Sequence, residues 1–321
     1  GKRVMITGAG GSIGAEISRQ VASFSPEKII MVDFAESALF ETDFELQEQF
    51  PEIESVANIV NVRNQNDLEK TFSENHPHCV FHAAAYKHVS LMEQHPSNAV
   101  CTNVLGTRNV VEAAVAHKVE KFVLISTDKA VKPSNVMGAT KRLCELVVAR
   151  QSSEHTQFGS VRFGNVLGSN GSVIPIFEKQ ISKGGPVRVT DPEMTRYFMT
   201  IPEAVELVLQ TSAIAESNDV YVLDMGNPVK IIDLARNMIE LSGMVVDEDI
   251  KIEIIGARPG EKIHEELITY GEDLLPTSVK KIKLFRKTGN APGGDGFENN
   301  LRKLEELGLK RKDEEVKQLL W

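Results

Sequence analysis

The chain has 321 residues, 41% hydrophobic and 25% charged, the make-up of a soluble globular protein with one large or two modest domains. Its formal net charge is −9, which argues against a nucleic-acid binder, since those carry basic surfaces. An anionic substrate would therefore need cations gathered locally, because the overall field does not attract it.

Cys79, Cys101 and Cys144 lie far apart and form no CxxC pair. That pattern speaks against a disulfide framework and fits a reducing, cytoplasmic setting. No apolar run approaches the roughly 18–20 residues that span a bilayer, and no secretory signal is recognisable. The chain opens on Gly-Lys-Arg directly before its first strand. The excised cytoplasmic domain of a membrane-anchored protein would begin in this way, so a removed membrane segment stays open.

In chain order, short β-rich runs at Arg3–Thr7, Lys28–Asp33, Val56–Val62, Cys79–Ala83, Lys121–Ser126 and Gly159–Phe163 read as strands buried on both faces. Helical periodicity fills the gaps at Ile13–Phe24, Ala38–Phe50, Gln65–Glu74, Ser97–His117 and Val136–Arg150. The alternation predicts an α/β fold, a Rossmann-type doubly wound parallel sheet, which Val220–Asp224 extends. After Asn165 the pattern loosens. The stretches GSNGSVIP, SKGGPVRVTDPEM, GARPGEK and NAPGGDG separate short elements, as in a smaller, discontinuous domain carrying substrate loops. The expected division is residues 1–165 and 196–226 for the dinucleotide, and 166–195 and 227–321 for the substrate. Leu301–Leu320 reads as one amphipathic, solvated surface helix.

VMITGAGGSIGAEI places Gly8, Gly11 and Gly14, with Ser12 and Ile13, in a tight turn from strand to helix. Such a turn lets backbone approach a pyrophosphate, and the helix N-terminus offers it N–H groups and a positive dipole end. Asp33 ends the second strand at the place of a ribose-binding acid, roughly 20 residues on. It would repel a phosphate on that ribose, and its neighbours Phe34 and Ala35 supply no Arg to bind one, so the expected cofactor is NAD. Asn61 and Val62, and Ala83, Ala84 and Ala85, are the further cofactor contacts expected at strand ends.

The glycine spacing, AAAYKHV and TNVLGT resemble the extended short-chain dehydrogenase/reductase family. In that family a Tyr-x-x-x-Lys pair shares one face of the helix after the fifth strand. Here the stretch is VMGATKRLCE: Lys141 matches the lysine, which holds the nicotinamide ribose, but Met137 stands at the tyrosine. A thioether cannot exchange a proton. Either the chain is a non-catalytic NAD-binding regulator, or another group does the acid–base work. The fifth strand runs into Thr127-Asp128-Lys129, an adjacent acid and base at the sheet edge where ligands bind, which favours the second reading.

STDKAVKPSNVMGATKR, VRFGNVLGSNGSVIPIF, TDPEMTRYFMTIPEA and ARPGEKIHEEL are similar to the polysaccharide-biosynthesis branch of nucleotide-sugar 4,6-dehydratases. The resemblance runs from Gly8 to about Leu267. It implies UDP-N-acetylglucosamine as substrate and a 4-keto-6-deoxy sugar as product. Members with Met at the tyrosine position resemble the subgroup that retains configuration at carbon 5, often fused to a membrane-spanning region. By the same resemblance Lys129 is the carbon 5 base, Asp128 the acid at carbon 6 and Thr127 a partner of the carbon 4 oxygen; with Met137 at the tyrosine position the acceptor of the first proton stays open, Asp128 being the favoured candidate. Arg196 and Arg258 are expected on the diphosphate and Glu261 on the uridine ribose. Lys87, His88 and Asn165 are expected near the sugar, and Asn103 is expected to order the catalytic helix. Helices 97–117 and 136–150 are expected to pair across a two-fold axis in a homo-oligomer. A 4-epimerase is the competing enzyme; it would keep the tyrosine and lack the Asp-Lys pair.

Other signals carry less. His76-Pro-His78-Cys79 lacks a second ligand pair, and His264-Glu265-Glu266-Leu267 lacks the second histidine of a zinc protease, so no metal is expected. The Asn170-Gly171-Ser172 sequon lies inside a motif of the cytoplasmic enzyme, and Cys144 with Leu143 reads as core or interface.

Overall fold

The computed structural model describes residues 1–216, 218–268, 274–285 and 296–321. All of NAPGGDG but its last glycine falls outside the described residues. The first half contains β1 (Arg3–Thr7), α1 (Ser12–Ala22), β2 (Lys28–Asp33), α2 (Glu36–Gln49), β3 (Ser55–Ile59), α3 (Gln65–Asn75) and β4 (Cys79–His82). Next come α4 (Val89–Gln94), α5 (Pro96–Ala99), a π-helical turn at Val100–Leu105, α6 (Gly106–Ala116), β5 (Lys121–Ile125), a 3₁₀ turn at Asp128–Ala130, α7 (Val136–Ala149) and β6 (Gln157–Arg162). The shorter elements follow: β7 (Asn165–Val166), α8 (Val173–Ile181), β8 (Val187–Val189), β9 (Thr195–Arg196), β10 (Phe198–Met199), α9 (Ile201–Ile214) and β11 (Asp219–Leu223). The chain continues through β12 (Val229–Lys230), α10 (Ile231–Leu241), β13 (Ile252–Ile254), β14 (Leu274–Pro276), β15 (Ile282–Phe285), α11 (Phe297–Leu309) and α12 (Asp313–Leu320).

Among the described residues nine strands form one sheet, in the order β14-β15-β11-β6-β5-β4-β1-β2-β3. It is parallel from β3 to β11, and β15 and β14 close it antiparallel. Strand order reverses between β1 and β4, so their C-terminal ends, Thr7 and His82, flank the switch-point crevice where such sheets bind ligands. The unbroken apolar runs are explained by cover on both faces. One core packs Ile6, Ile29 and Met31 against α1 and α9; the other packs Met5, Ile30, Val80 and Leu124 against α3, α6 and α7. A separate small core, with Phe177, Val187, Ile231, Ile239 and Ile250, joins α8, β8 and α10.

The predicted helix Ser97–His117 is interrupted by the π-helical turn at Val100–Leu105, and two larger features also differ from the sequence expectation. β14 and β15 extend the main sheet, so residues 227–321 do not all lie with the small core. The tail is two helices rather than one, and it is not merely solvated. Leu301, Leu304 and Val316 bury against Val100, Val104 and Val147. Asp313 Oδ1 accepts from the Ser97 backbone N–H at 3.0 Å, and Arg108 pairs with Glu305 at 2.8 Å. The tail thus covers part of the very helices expected to form a two-fold interface.

Leu304 is 3% exposed and Leu309 is 64% exposed. Leu304→Ala is expected to cost about 2–5 kcal/mol in urea unfolding, whereas Leu309→Ala stays within about 0.5 kcal/mol. Equal small effects would show the tail to be solvated after all.

Candidate active site

The glycine turn fits a dinucleotide. A Cβ on Gly14 would lie 2.0 Å from the Gly8 carbonyl oxygen, so α1 can start this close to the turn only without a side chain there. No side chain caps the first helical N–H groups at Gly11, which leaves them to an anion. Asp33 accepts from the Gly10 N–H at 3.0 Å and from the Ala35 N–H at 2.9 Å, fixing its carboxylate at the crevice. Asn61, Val62, Ala83, Ala84 and Ala85 line the same groove with Gly8, Gly11 and Asp33. β3 ends at Ile59, three residues before the predicted end, so Asn61 and Val62 belong to the turn that bounds the groove.

A cavity of about 470 Å³ continues from this groove. Ser12, Ile13 and Gly14 form one wall, and Lys87, His88, Thr127, Lys129, Met137, Lys141 and Asn165 line the rest. The Asn170 backbone N–H donates to Ser12 Oγ at 3.1 Å, which joins the 168–172 loop to the first helix over the groove.

At the centre, Thr127 Oγ1 donates to Asp128 Oδ1 at 2.7 Å, and Lys129 Nζ donates to the same oxygen at 3.0 Å. Lys129 Nζ also donates to Asn165 Oδ1 at 3.3 Å. Asp128 is 0% exposed and its Oδ2 has no partner. It lies one layer beneath Thr127 and Lys129, and both of these face the cavity. Any proton reaching Asp128 in this geometry passes through one of them.

Helix α7, which carries Met137 and Lys141, is held from several sides. A Cβ on Gly138 would lie 2.2 Å from the Lys129 carbonyl oxygen, so this glycine lets α7 press against the 128–130 turn. Glu93 Oε1 accepts from the Val136 N–H at 2.6 Å, and Asn135 Oδ1 accepts from the Gly138 N–H at 2.8 Å. Asn103 sits in the π-helical turn, a local widening common at functional sites. Its amide takes the Tyr86 N–H at 2.8 Å and donates to Thr140 Oγ1 at 3.0 Å. Glu145 is buried against Arg162, with two bonds of 2.7 Å, and accepts from Ser126 Oγ at 2.6 Å. Burial works to raise this carboxyl, but Arg162, Arg142 and Ser126 outweigh it and leave it below its ordinary value. Of these supports only Asn103 was expected from sequence; Glu93, Glu145 and the π turn have no sequence signal of their own.

Lys141 is buried, and its Nζ donates to the Ile125 carbonyl at 2.6 Å. Burial pulls its ammonium below the usual lysine range, and burial does the same to Lys87. Met137, 3% exposed, packs with Met92, Ala99 and Val136 and offers the cavity no hydroxyl. Arg196 does not line the cavity: its guanidinium donates to the carbonyls of Thr195, Ile263 and Lys262 at 2.7, 3.0 and 2.8 Å. Those bonds bind β9 to the 262–263 segment. Arg258 is exposed on the 256–262 loop, where its N–H meets Glu261 Oε2 at 3.4 Å. The loop is docked on α7 by the Gly260 carbonyl, which accepts from Asn135 Nδ2 at 2.9 Å. Among the described residues no cluster of three or more His, Cys, Asp or Glu could hold a metal ion, and no helix is long and apolar enough to cross a membrane.

The sheet, its switch-point groove and the Lys-bearing helix define a short-chain dehydrogenase/reductase-type fold. Residues 4–287 match the family described as polysaccharide biosynthesis protein, and the chain belongs to that family. It is 55% identical over 288 residues to the capsular polysaccharide biosynthesis protein CapD of Staphylococcus aureus, covering 89% of this chain and 48% of CapD. It is 51% identical over 297 residues to the probable polysaccharide biosynthesis protein EpsC of Bacillus subtilis, covering 92% and 49%. The chain thus spans about half the length of these relatives. The X-ray structure of Pen from Bacillus thuringiensis is similar throughout, with 36% identity, a TM-score of 0.80 and coverage of 96% and 98%.

Beneath the groove His82 bridges Thr7 Oγ1 at 2.6 Å and Thr107 Oγ1 at 2.9 Å. Burial, helped by the Lys141 charge, holds its pKa at about 3, against 6.5 in an ordinary setting. The unfolded chain therefore binds the extra proton first. His82's contribution is complete above pH 6.5 and is lost as pH falls toward about 3, by at most about 1.4 kcal/mol per pH unit. Urea midpoints measured across that range are expected to fall less steeply in His82→Gln. Equal slopes would assign the acid sensitivity to other groups.

Proposed function

We propose that the protein is an NAD-dependent nucleotide-sugar 4,6-dehydratase that converts UDP-N-acetylglucosamine to the 4-keto-6-deoxy sugar for bacterial glycan synthesis. The observation that carries this reading is the Asp128–Lys129 contact of 3.0 Å, at a cavity where Met137 supplies no phenol. A site built only for hydride transfer at an alcohol has no use for a second, amine base. An epimerase would keep the hydroxyl that Met137 lacks. Family membership and CapD at 55% identity support polysaccharide work for the same fold.

Gly8, Gly11, Ser12, Ile13, Gly14 and Asp33 would hold the dinucleotide, with Lys141 beneath its nicotinamide ribose. NAD is favoured because Asp33 would face a ribose phosphate with no Arg at positions 34 or 35. When bound, NAD supplies a hydride acceptor that is regenerated within each turnover. Thr127 takes the carbon 4 hydroxyl proton as its own proton passes to Asp128. Lys129, as the neutral amine, takes the carbon 5 proton. The proton on Asp128 returns through Thr127 to the carbon 6 hydroxyl, which leaves as water, and Lys129 gives its proton back to carbon 5. Arg258 and Glu261 would meet the diphosphate and uridine ribose, Lys87, His88 and Asn165 the sugar. Arg196 would serve by bracing the 262–263 segment. On this reading residues 166–195 and 227–268 form the sugar-nucleotide side.

The test is incubation with UDP-N-acetylglucosamine followed by NMR of the product, alongside Lys129→Ala. The parent should form the 4-keto-6-deoxy sugar. Lys129→Ala should form none, yet still build up reduced cofactor, because its base acts after the ketone exists. Asp128→Asn should suppress both signals. A Lys129→Ala variant that turns over like the parent removes Lys129 from the chemistry. A parent that neither reduces NAD nor alters the sugar sinks the dehydratase reading.

A further inference from the structure

Glu265 belongs to a sequence fragment that looks like half of a zinc-protease motif, yet the structure sets it beside Lys129. Its side chain is 2% exposed, with Oε1 3.6 Å from Lys129 Nζ and Oε2 without a partner. A carboxylate buried this way costs several kcal/mol of desolvation, which one contact at that distance does not repay. Stability alone would favour an uncharged side chain of the same shape.

The surroundings hold Glu265 in place. Arg196 grips the carbonyls on either side of the Lys262–Ile263 peptide, and Thr195 Oγ1 meets His264 Nδ1 at 2.9 Å. Lys262 Nζ donates to the Val131 carbonyl at 2.8 Å, tying the segment to the catalytic turn. Lys129 Nζ donates to Asp128 Oδ1 and Asn165 Oδ1 at 3.0 and 3.3 Å, and Glu265 Oε1 faces it at ion-pair distance, 3.6 Å.

We propose that Glu265 is a positioning residue for Lys129: it anchors the amine and is the counter-charge to the ammonium formed when Lys129 takes the carbon 5 proton. The proposal rests on the dehydratase reading. In that step the C5–H bond breaks, its electron pair passes onto the carbon 4 ketone as an enolate, and a new N–H bond forms on Lys129; the carbon 6 hydroxyl leaves as water afterwards, when the Asp128 proton reaches it through Thr127. Asp128 cannot fill the role alone. It already holds the carbon 4 proton at that moment and is neutral, so Glu265 is the carboxylate still charged against Lys129.

The charged and titratable groups around Lys129 are Asp128 on its own turn and Glu265 from the 262–266 segment, which also carries Lys262, His264 and Glu266. Arg196 comes from β9, Lys141, Arg142 and Glu145 from α7, and Lys87 and His88 from across the cavity. Arg196 and Lys262 are engaged with backbone carbonyls, Glu145 with Arg162, and Glu266 with Lys132.

Glu265→Gln keeps the shape and removes the charge. With UDP-N-acetylglucosamine it is expected to reduce NAD at the parent rate while product formation falls roughly tenfold to a hundredfold. The KM should stay near the parent value, and Glu265→Asp should recover part of the loss. Parent-like product formation, or a loss that includes NAD reduction, overturns the proposal. A parent that leaves the sugar unchanged instead sinks the dehydratase reading, and this proposal with it.

Discussion

A buried oxygen that accepts two hydrogen bonds sets the terms for the rest of this molecule. Asp128 Oδ1 receives both the Thr127 hydroxyl and an N–H of Lys129 Nζ, with no solvent to share the load. Ionised groups taken out of water are tolerable only when held in good geometry by compensating partners. Much of the neighbouring structure supplies that geometry. α7 presses on the turn through Gly138, Asn165 approaches from β7, and the 262–266 segment is braced by Arg196 and Lys262. A buried ion pair, Glu145 with Arg162, sits behind the same turn and joins it to β6 through Ser126.

This arrangement also explains how a site can dispense with the tyrosine. A phenol on α7 would stand at Met137, which instead completes a small apolar cluster with Met92, Ala99 and Val136. On the proposed reading, proton handling falls instead to Thr127, Asp128 and Lys129 on the strand-end turn across the cavity. Buried Lys141, held on the Ile125 carbonyl and with its ammonium disfavoured by burial, keeps a place beside the groove without a tyrosine to act upon.

The sheet was legible because its signal is local. β1 and β2 match the apolar runs residue for residue, and the glycine turn and Asp33 are where a dinucleotide crevice demands. The tail was misjudged because amphipathic periodicity shows that a helix has an apolar face, not what that face meets. Leu301, Leu304 and Val316 find partners nearly two hundred residues earlier in the chain. Arg196 was expected on a diphosphate because its motif resembles a substrate loop, yet three backbone carbonyls claim its guanidinium. Glu265 was discounted as a broken metal motif; only a fold that returns residue 265 to residue 129 gives it meaning.

The tail has a bearing on the order in which the chain can assemble. Its contacts reach back across 216 residues from Asp313 to Ser97 and 197 from Glu305 to Arg108. Loop closure over such separations is slow compared with local pairing. The glycine turn and its strands pair among near neighbours, whereas the π-helical turn and α7 gain their cover at Val100, Val104 and Val147 only when the tail closes back on them.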